Sequence, residues 1–380
     1  MTVVPERNPF VYDDPLPPGE LVDRDAEAAQ LLALAEGGHN TRLSAPRRYG
    51  KTTLILRVLE DARRIGMNTV YVDFYGAVAV PEIVRRLEEA YLKDLAGPVR
   101  RAVINLLHSW SVRGKVSPGG VGGEVELSGR RGHEAQLSRV LDLPVTVYER
   151  TAARTLVVFD EFQDFLRAQG QVDGLIRSRI QFHREQASYV FAGSEPGMLA
   201  GLFTDRKRPL YDQARPIDLG PLPYADLSDY IAGRFERGGR DPGEALDALL
   251  DLVRGHPQRA MLLAHHLWEQ TPRGGTAGAD EFAAALQAVE RETGERFEQT
   301  WLTLAHAPNQ RRVLLALAQS DASLYSRRTL EAFALEKGGA ESGLRGLVAL
   351  GEVRDVEGRL VIVDPLLERW ARRRGGATAD

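Results

Sequence analysis

Two runs of residues in this sequence carry types and spacings that can do chemistry. The first is Ser44 to Thr53, SAPRRYGKTT. A Gly-Lys-Thr triplet in a short loop supplies backbone N–H groups, a lysine ammonium and a hydroxyl, the groups that hold a nucleoside triphosphate and its magnesium ion. Against the pattern G-x-x-x-x-G-K-[ST], Gly50, Lys51 and Thr52 match, while Ala45 stands where the first glycine belongs. Pro46, Arg47, Arg48 and Tyr49 fill the variable positions, and Thr53 follows the motif. ATP is therefore the first candidate ligand, with Lys51 on the β- and γ-phosphates and Thr52 on magnesium. The second run, TLVVFDEF from Thr155 to Phe162, is apolar and ends in Asp160 and Glu161. Carboxylates at the end of a buried strand suit a magnesium-ordering Asp160 and a Glu161 that polarises attacking water.

Both runs need a sheet to position them. A short strand candidate at Arg42 to Ala45 precedes the loop, and TTLILRVLEDARRIG after it sets Leu54, Ile55, Val58, Leu59 and Ile65 on one helical face. The N-terminus of that helix then points free N–H groups and a positive dipole end at the anion. Further strand candidates are Thr69 to Phe74, Thr155 to Asp160, Ser188 to Ala192 and Pro216 to Leu219. Strands alternating with helices imply an α/β P-loop NTPase core, a five-stranded parallel sheet with helices on both faces. Between Phe74 and Thr155 the sequence predicts a helix over 81–95 and a shorter helical stretch from Val99 to His108. A glycine-rich segment, Lys115 to Gly129, follows and reads as a small hairpin. Beyond Leu219 the periodicity is helical, which predicts an all-α lid. From Pro308 three short helices precede a hairpin signal around Glu357 and Gly358, the outline of a winged helix. The expected division is 1–40, an amino-terminal segment; 41–220, the P-loop core with an insertion near 96–130; 221–305, the lid; and 306–375, the winged helix.

Composition bounds the function. The chain has 380 residues, 43% hydrophobic and 27% charged, ordinary values for a globular protein. A formal net charge of -4 gives no global pull toward nucleic acid or anionic membrane, so such contacts need a local patch. No apolar run is long enough to cross a membrane, and a cytoplasmic location without membrane partners is expected. Without cysteine there are no disulfides or thiolate metal sites, and the eight histidines show no metal-ligand spacing.

Several further strings appear in order: NPF at Asn8 to Phe10, VDRDAE at Val22 to Glu27, FAGSE at Phe191 to Glu195, GHPQ at Gly255 to Gln258 and DPLLERW at Asp364 to Trp370. With PRRYGKTTL and VVFDEFQDF, the chain resembles the archaeal-type ATPases of the AAA+/STAND superfamily, which have an AAA+ core, a helical lid and a C-terminal winged helix. The resemblance implies ATP hydrolysis with magnesium, turnover being slow or partner-stimulated. It also implies roles for further residues. Ser194 takes the sensor 1 position, and Arg215 enters a neighbouring subunit's site as an arginine finger. His256 and Pro257 contact the nucleotide from the lid. Val22 and Arg24, with Leu21, flank the adenine, which makes 1–40 an adenine-side segment. Arg259 lies one residue off the sensor 2 spacing. Arg47 and Arg48 face either phosphate or an acidic neighbour.

Three functions stay open at this level. One is an ATP-driven switch in which nucleotide state moves the lid and winged helix, with a protein client or self-assembly as its partner. Another is a nucleotide-gated DNA-binding protein like the replication-initiator ATPases. The third is a nucleotide sensor in signalling or defence, held by ADP and released by ATP. DNA is weakly supported, because the expected recognition helix carries only Arg345 as a base and the hairpin charges cancel; Arg369 and Arg372 to Arg374 form a small basic tail.

Overall fold

The computed structural model describes residues 7–113, 130–167, 172–356 and 358–376. The predicted glycine-rich hairpin and Glu357 of the second hairpin lie outside the described residues. Contacts divide the chain into two compact units. One comprises Arg24–Ala45 and Lys51–Leu219; the other gathers the chain up to Asp23, the loop Pro46–Gly50 and everything from Gly220.

The first unit is built on five parallel strands, β1 (Thr41–Ser44), β2 (Asn68–Asp73), β3 (Thr155–Asp160), β4 (Ala187–Gly193) and β5 (Arg215–Asp218), in the order β2-β3-β4-β1-β5. Each predicted strand lies within one residue of the observed bounds. Ser44 pairs with Gly193 and Asp218, and Asp73 with Asp160, so all carboxyl ends reach one edge of the sheet. β3 and β4 are buried along their whole length, which is why they read as unbroken apolar runs. One face packs an aromatic cluster in which Phe74, Phe159, Phe162, Phe165, Phe191 and Phe203 touch ring to ring.

The helix Lys51–Arg64 buries Leu54, Ile55, Val58 and Leu59 as the periodicity requires. Ile65 departs from that expectation: it lies past the helix end and is 48% exposed. The helix predicted over 81–95 is Val80–Asp94, and the stretch near Val99 extends to Gly97–Arg113. Two helices that the sequence did not announce, Arg130–Leu141 and Leu143–Thr151, lead into β3.

In the second unit the helices Tyr224–Arg237, Ala245–Val253, Pro257–Gln270 and Ala279–Thr303 are followed by Pro308–Gln319, Arg327–Ala332 and Lys337–Ala349. Then come an antiparallel pair, β6 (Val353–Val356) and β7 (Arg359–Ile362), and the helix Pro365–Gly376. This is the expected order of all-α segment, three helices and hairpin. A single hydrophobic cluster joins these parts, running from Phe10 and Val22 through Phe235, Leu263 and Phe297 to Val313, Leu347 and Leu366. The Gly-His-Pro turn depends on its glycine. Gly255 has φ +74, and a Cβ there would meet the carbonyl oxygen of Leu222 at 2.3 Å.

Candidate functional site

The carboxyl edge of the sheet gathers the chemistry-bearing residues of the first unit. β1 leads through the loop to Lys51, the first residue of its helix; β3 ends at Asp160 with Glu161 next; β4 ends at Gly193 with Ser194 next. The buried Lys51 pairs with Asp160 Oδ1, and its Nζ lies 3.4 Å from Glu161 Oε1. Asp160 also accepts the Tyr71 hydroxyl on Oδ2 at 2.8 Å and the Glu161 backbone N–H on Oδ1 at 2.9 Å. Burial, with the charge and hydrogen bond of Asp160, raises the Tyr71 hydroxyl far above its ordinary value, so it stays a neutral donor.

Glu161 is held as firmly. Its φ of 49° is left-handed, a conformation that costs a non-glycine residue about 1 kcal/mol or more and turns the side chain out of the strand direction. Its Oε2 accepts the Ser194 hydroxyl at 2.8 Å and the Gln163 amide. Burial works to raise this carboxyl, but the Lys51 charge and the hydrogen bonds from Ser194, Gln163 and Lys51 outweigh it and hold Glu161 below the usual carboxylate range. Gly193 makes room for this arrangement, since a Cβ there would sit 2.5 Å from Gln163 Oε1.

The missing glycine of the loop is accommodated. Ala45 is buried and is not among the residues with positive φ; the left-handed positions are Arg48 at φ 70 and Gly50 at φ 81. An L-residue therefore fits at Ala45 without backbone strain.

Residues Pro46–Gly50 pack within the second unit. The Tyr49 ring is buried, 4.8 Å from the His256 ring, and the Arg354 guanidinium lies 5.4 Å from its centre. His256 caps the helix Pro257–Gln270, accepting the Arg259 backbone N–H at 3.4 Å. Burial, aided by Arg259 and Arg48, pushes its imidazole down to about 3 against the pull of Asp364, so the ring is neutral at physiological pH. Arg259 is fully buried and grips Asp364, with Nε 3.0 and 3.1 Å from its two oxygens. The guanidinium that lies one residue off the sensor 2 spacing is thus committed to a carboxylate of DPLLERW. Burial and the like charges of Arg296 and Arg259 bring Arg48 down to about 10, so it remains charged.

The structure thus brings Lys51, Asp160, Glu161 and Ser194 together in one unit, and Arg48, Tyr49 and His256 in the other. Thr52 and Thr53 follow Lys51 on its helix, and Pro257 is the first residue of the helix that His256 caps. Pro46 is buried and Arg47 exposed. Val22 belongs to the core of the second unit, whereas Arg24 is buried in the first and paired with Glu27 at 2.9 Å. Arg215 is exposed at the amino end of β5, beside Thr41, at the edge opposite Ser44 and Asp160. Tyr71 and Gln163 were not anticipated. Gln163 had a signal, two residues beyond Glu161 in FDEFQDF; Tyr71 is one aromatic in a strand and had none.

Among the described residues no group of three or more His, Asp or Glu side chains could hold a metal unaided. The hydroxyl of Thr52 and the carboxylate of Asp160 are hard oxygen donors, a set that fits magnesium completed by phosphate and water. Among the described residues no helix is long and apolar enough to cross a membrane.

No protein-family model and no curated protein matches the sequence. Among solved structures the chain is similar to the Walker-type ATPase PABY2304 of Pyrococcus abyssi, at 17% identity and a TM-score of 0.67 over 96% of this chain and 99% of that one. It is also similar to the ORC2 protein of Aeropyrum pernix in its ADPNP–ADP complexes, at 18% identity and a TM-score of 0.59 over 98% of this chain and 99% of that one. Its ADP form gives 18% identity and a TM-score of 0.52 over 97% of each chain. These likenesses are of fold: nearly the whole chain follows the architecture of P-loop ATPases.

Proposed function

We propose that this chain binds ATP with magnesium and hydrolyses it to ADP and phosphate, using nucleotide state as a switch. The observation that carries this reading is the convergence of Lys51, Asp160, Glu161 and Ser194 at the carboxyl edge of β1, β3 and β4, where α/β sheets bind their ligands. The fold shared with a Walker-type ATPase and with a protein seen in ADPNP–ADP complexes supports it.

Each residue has a task. Lys51 neutralises the β- and γ-phosphates, exchanging the carboxylates it now pairs with for phosphate oxygens. Thr52 and Asp160 would hold magnesium, which supplies charge neutralisation across the phosphates when bound. Glu161, kept ionised by Lys51, Ser194 and Gln163, accepts a hydrogen bond from the attacking water and orients it. Ser194 positions Glu161 and is the polar contact toward the terminal phosphate. Pro46, Arg47, Arg48, Tyr49, Gly50 and Thr53 form the rest of the cradle. Arg215 faces away from its own carboxyl edge and serves a neighbouring copy.

The three-helix and hairpin module acts as a packing and coupling element within this reading. Its basic tail is spoken for: Arg369 and Arg373 pair with Glu290 at 2.9 and 2.7 Å, Arg372 with Glu368 at 3.1 Å, and Arg374 with Glu298. Arginines so neutralised have little left for DNA phosphates.

Glu161→Gln tests the hydrolytic assignment. ATP affinity should stay within a few-fold of the original while turnover falls by about 10²-fold or more, the usual worth of a general base. Turnover at the original rate would remove Glu161 from the mechanism.

A further inference from the structure

Within the unit that carries the sheet, the two oxygens of Glu161 are held unequally. Oε2 accepts the Ser194 hydroxyl at 2.8 Å and the Gln163 Nε2, which also lies 3.5 Å from Ser194 Oγ, so the three side chains close a ring of hydrogen bonds. Oε1 meets the Lys51 ammonium at 3.4 Å, longer than an ordinary hydrogen bond. Gln163 is 2% exposed and sits on the helix Phe162–Arg167, which is pinned to β4 by Phe162, 4.8 Å from the Phe191 ring. Its carbonyl Oε1 is buried, has no hydrogen-bond partner among the described residues, and lies where a Cβ on Gly193 would come within 2.5 Å. A buried acceptor left unpaired destabilises the fold, and an apolar side chain of similar volume would avoid that penalty. Packing alone therefore gives no reason for a glutamine at this position; the donor end of its amide does.

We propose that Gln163 is a positioning residue for hydrolysis: with Ser194 it anchors Glu161 through Oε2, and Oε1 is the oxygen that accepts the attacking water once Lys51 has moved to phosphate. Two donors on one carboxylate oxygen fix the plane and reach of the group, while the oxygen whose partner leaves is the one free to work. Gly193 belongs to the same device, because a side chain there would drive the amide off Glu161. This rests on the hydrolytic reading of Glu161 above and adds which of its oxygens acts and what holds it.

Turnover, Mg-ATP affinity and Tm of the full chain, compared for the unaltered protein, Gln163→Leu, Gly193→Ala and the double variant, test it. Gln163→Leu should lower kcat by about tenfold or more, the scale of one charge-assisted hydrogen bond, and leave ATP affinity within about twofold. Its Tm should be unchanged or raised, since the unpaired carbonyl goes with the amide. Gly193→Ala should lower kcat by a similar factor, and the double variant should be no slower than Gln163→Leu, because both changes break the same contact. Turnover at the original rate in Gln163→Leu would overturn the proposal. So would equal losses of turnover and affinity with a lowered Tm, or a double variant slowed by the product of the single effects; either leaves Gln163 a packing residue. An unaltered protein that binds no ATP, or binds it without turnover, would defeat the hydrolytic reading itself, a separate outcome.

Discussion

At the residue scale, Glu161 shows how the site sets its own protonation state. A half-buried carboxylate is expected to rise, yet one ammonium and three hydrogen bonds bring Glu161 below its ordinary value. The opposite case is His256, an ionisable group that burial keeps neutral. Its folded-state value of about 3 lies below the ordinary 6.5, so as pH falls below about 6.5 the unfolded chain takes up the proton first. Stability from this group is complete above pH 6.5 and declines as pH drops toward 3. Urea unfolding midpoints should therefore fall between pH 7.5 and pH 5, and His256→Leu should flatten part of that slope. His183 and His39, both lowered chiefly by burial, add to the slope in the same direction. A slope unaltered by His256→Leu would show that the ring is not buried neutral.

At the element scale, parallel register decides what each residue can reach. All five strands point their carboxyl ends one way, so Ser44, Asp160 and Gly193 share an edge while Arg215, paired with Thr41, starts at the other. The proposed service of Arg215 to a neighbouring copy is tested by mixing variants. Arg215→Ala and Lys51→Ala proteins, each poor in turnover alone, should regain activity together, since one supplies the nucleotide site and the other the arginine. A mixture no more active than its parts would confine Arg215 to structure or surface. Much of the sheet was legible because β2, β3 and β4 are short, largely apolar and bounded by turns, and the Lys51, Asp160 and Glu161 cluster because it follows the Gly-Lys-Thr motif and the apolar run of β3. The helices Arg130–Leu141 and Leu143–Thr151 were not. The first buries only Leu137, Ser138, Val140 and Leu141 among the described side chains, and the second is a nine-residue stretch whose Val145, Thr146 and Val147 favour strand in isolation. Tyr71 with Asp160 and Arg259 with Asp364 were illegible for another reason: the partners are distant in sequence, and only packing selects them.

At the scale of the whole molecule, the chain passes between the two units at Ala45–Pro46 and again at Gly50–Lys51, inside the phosphate loop. The central claim is that Lys51 and this loop bind ATP. Titration of Mg-ATP into the full chain and into Lys51→Ala tests it most directly. The account predicts saturable binding that Lys51→Ala weakens by about tenfold or more, the loss of a charge-assisted phosphate contact; equal affinity in the two proteins, or none in the unaltered chain, would contradict it.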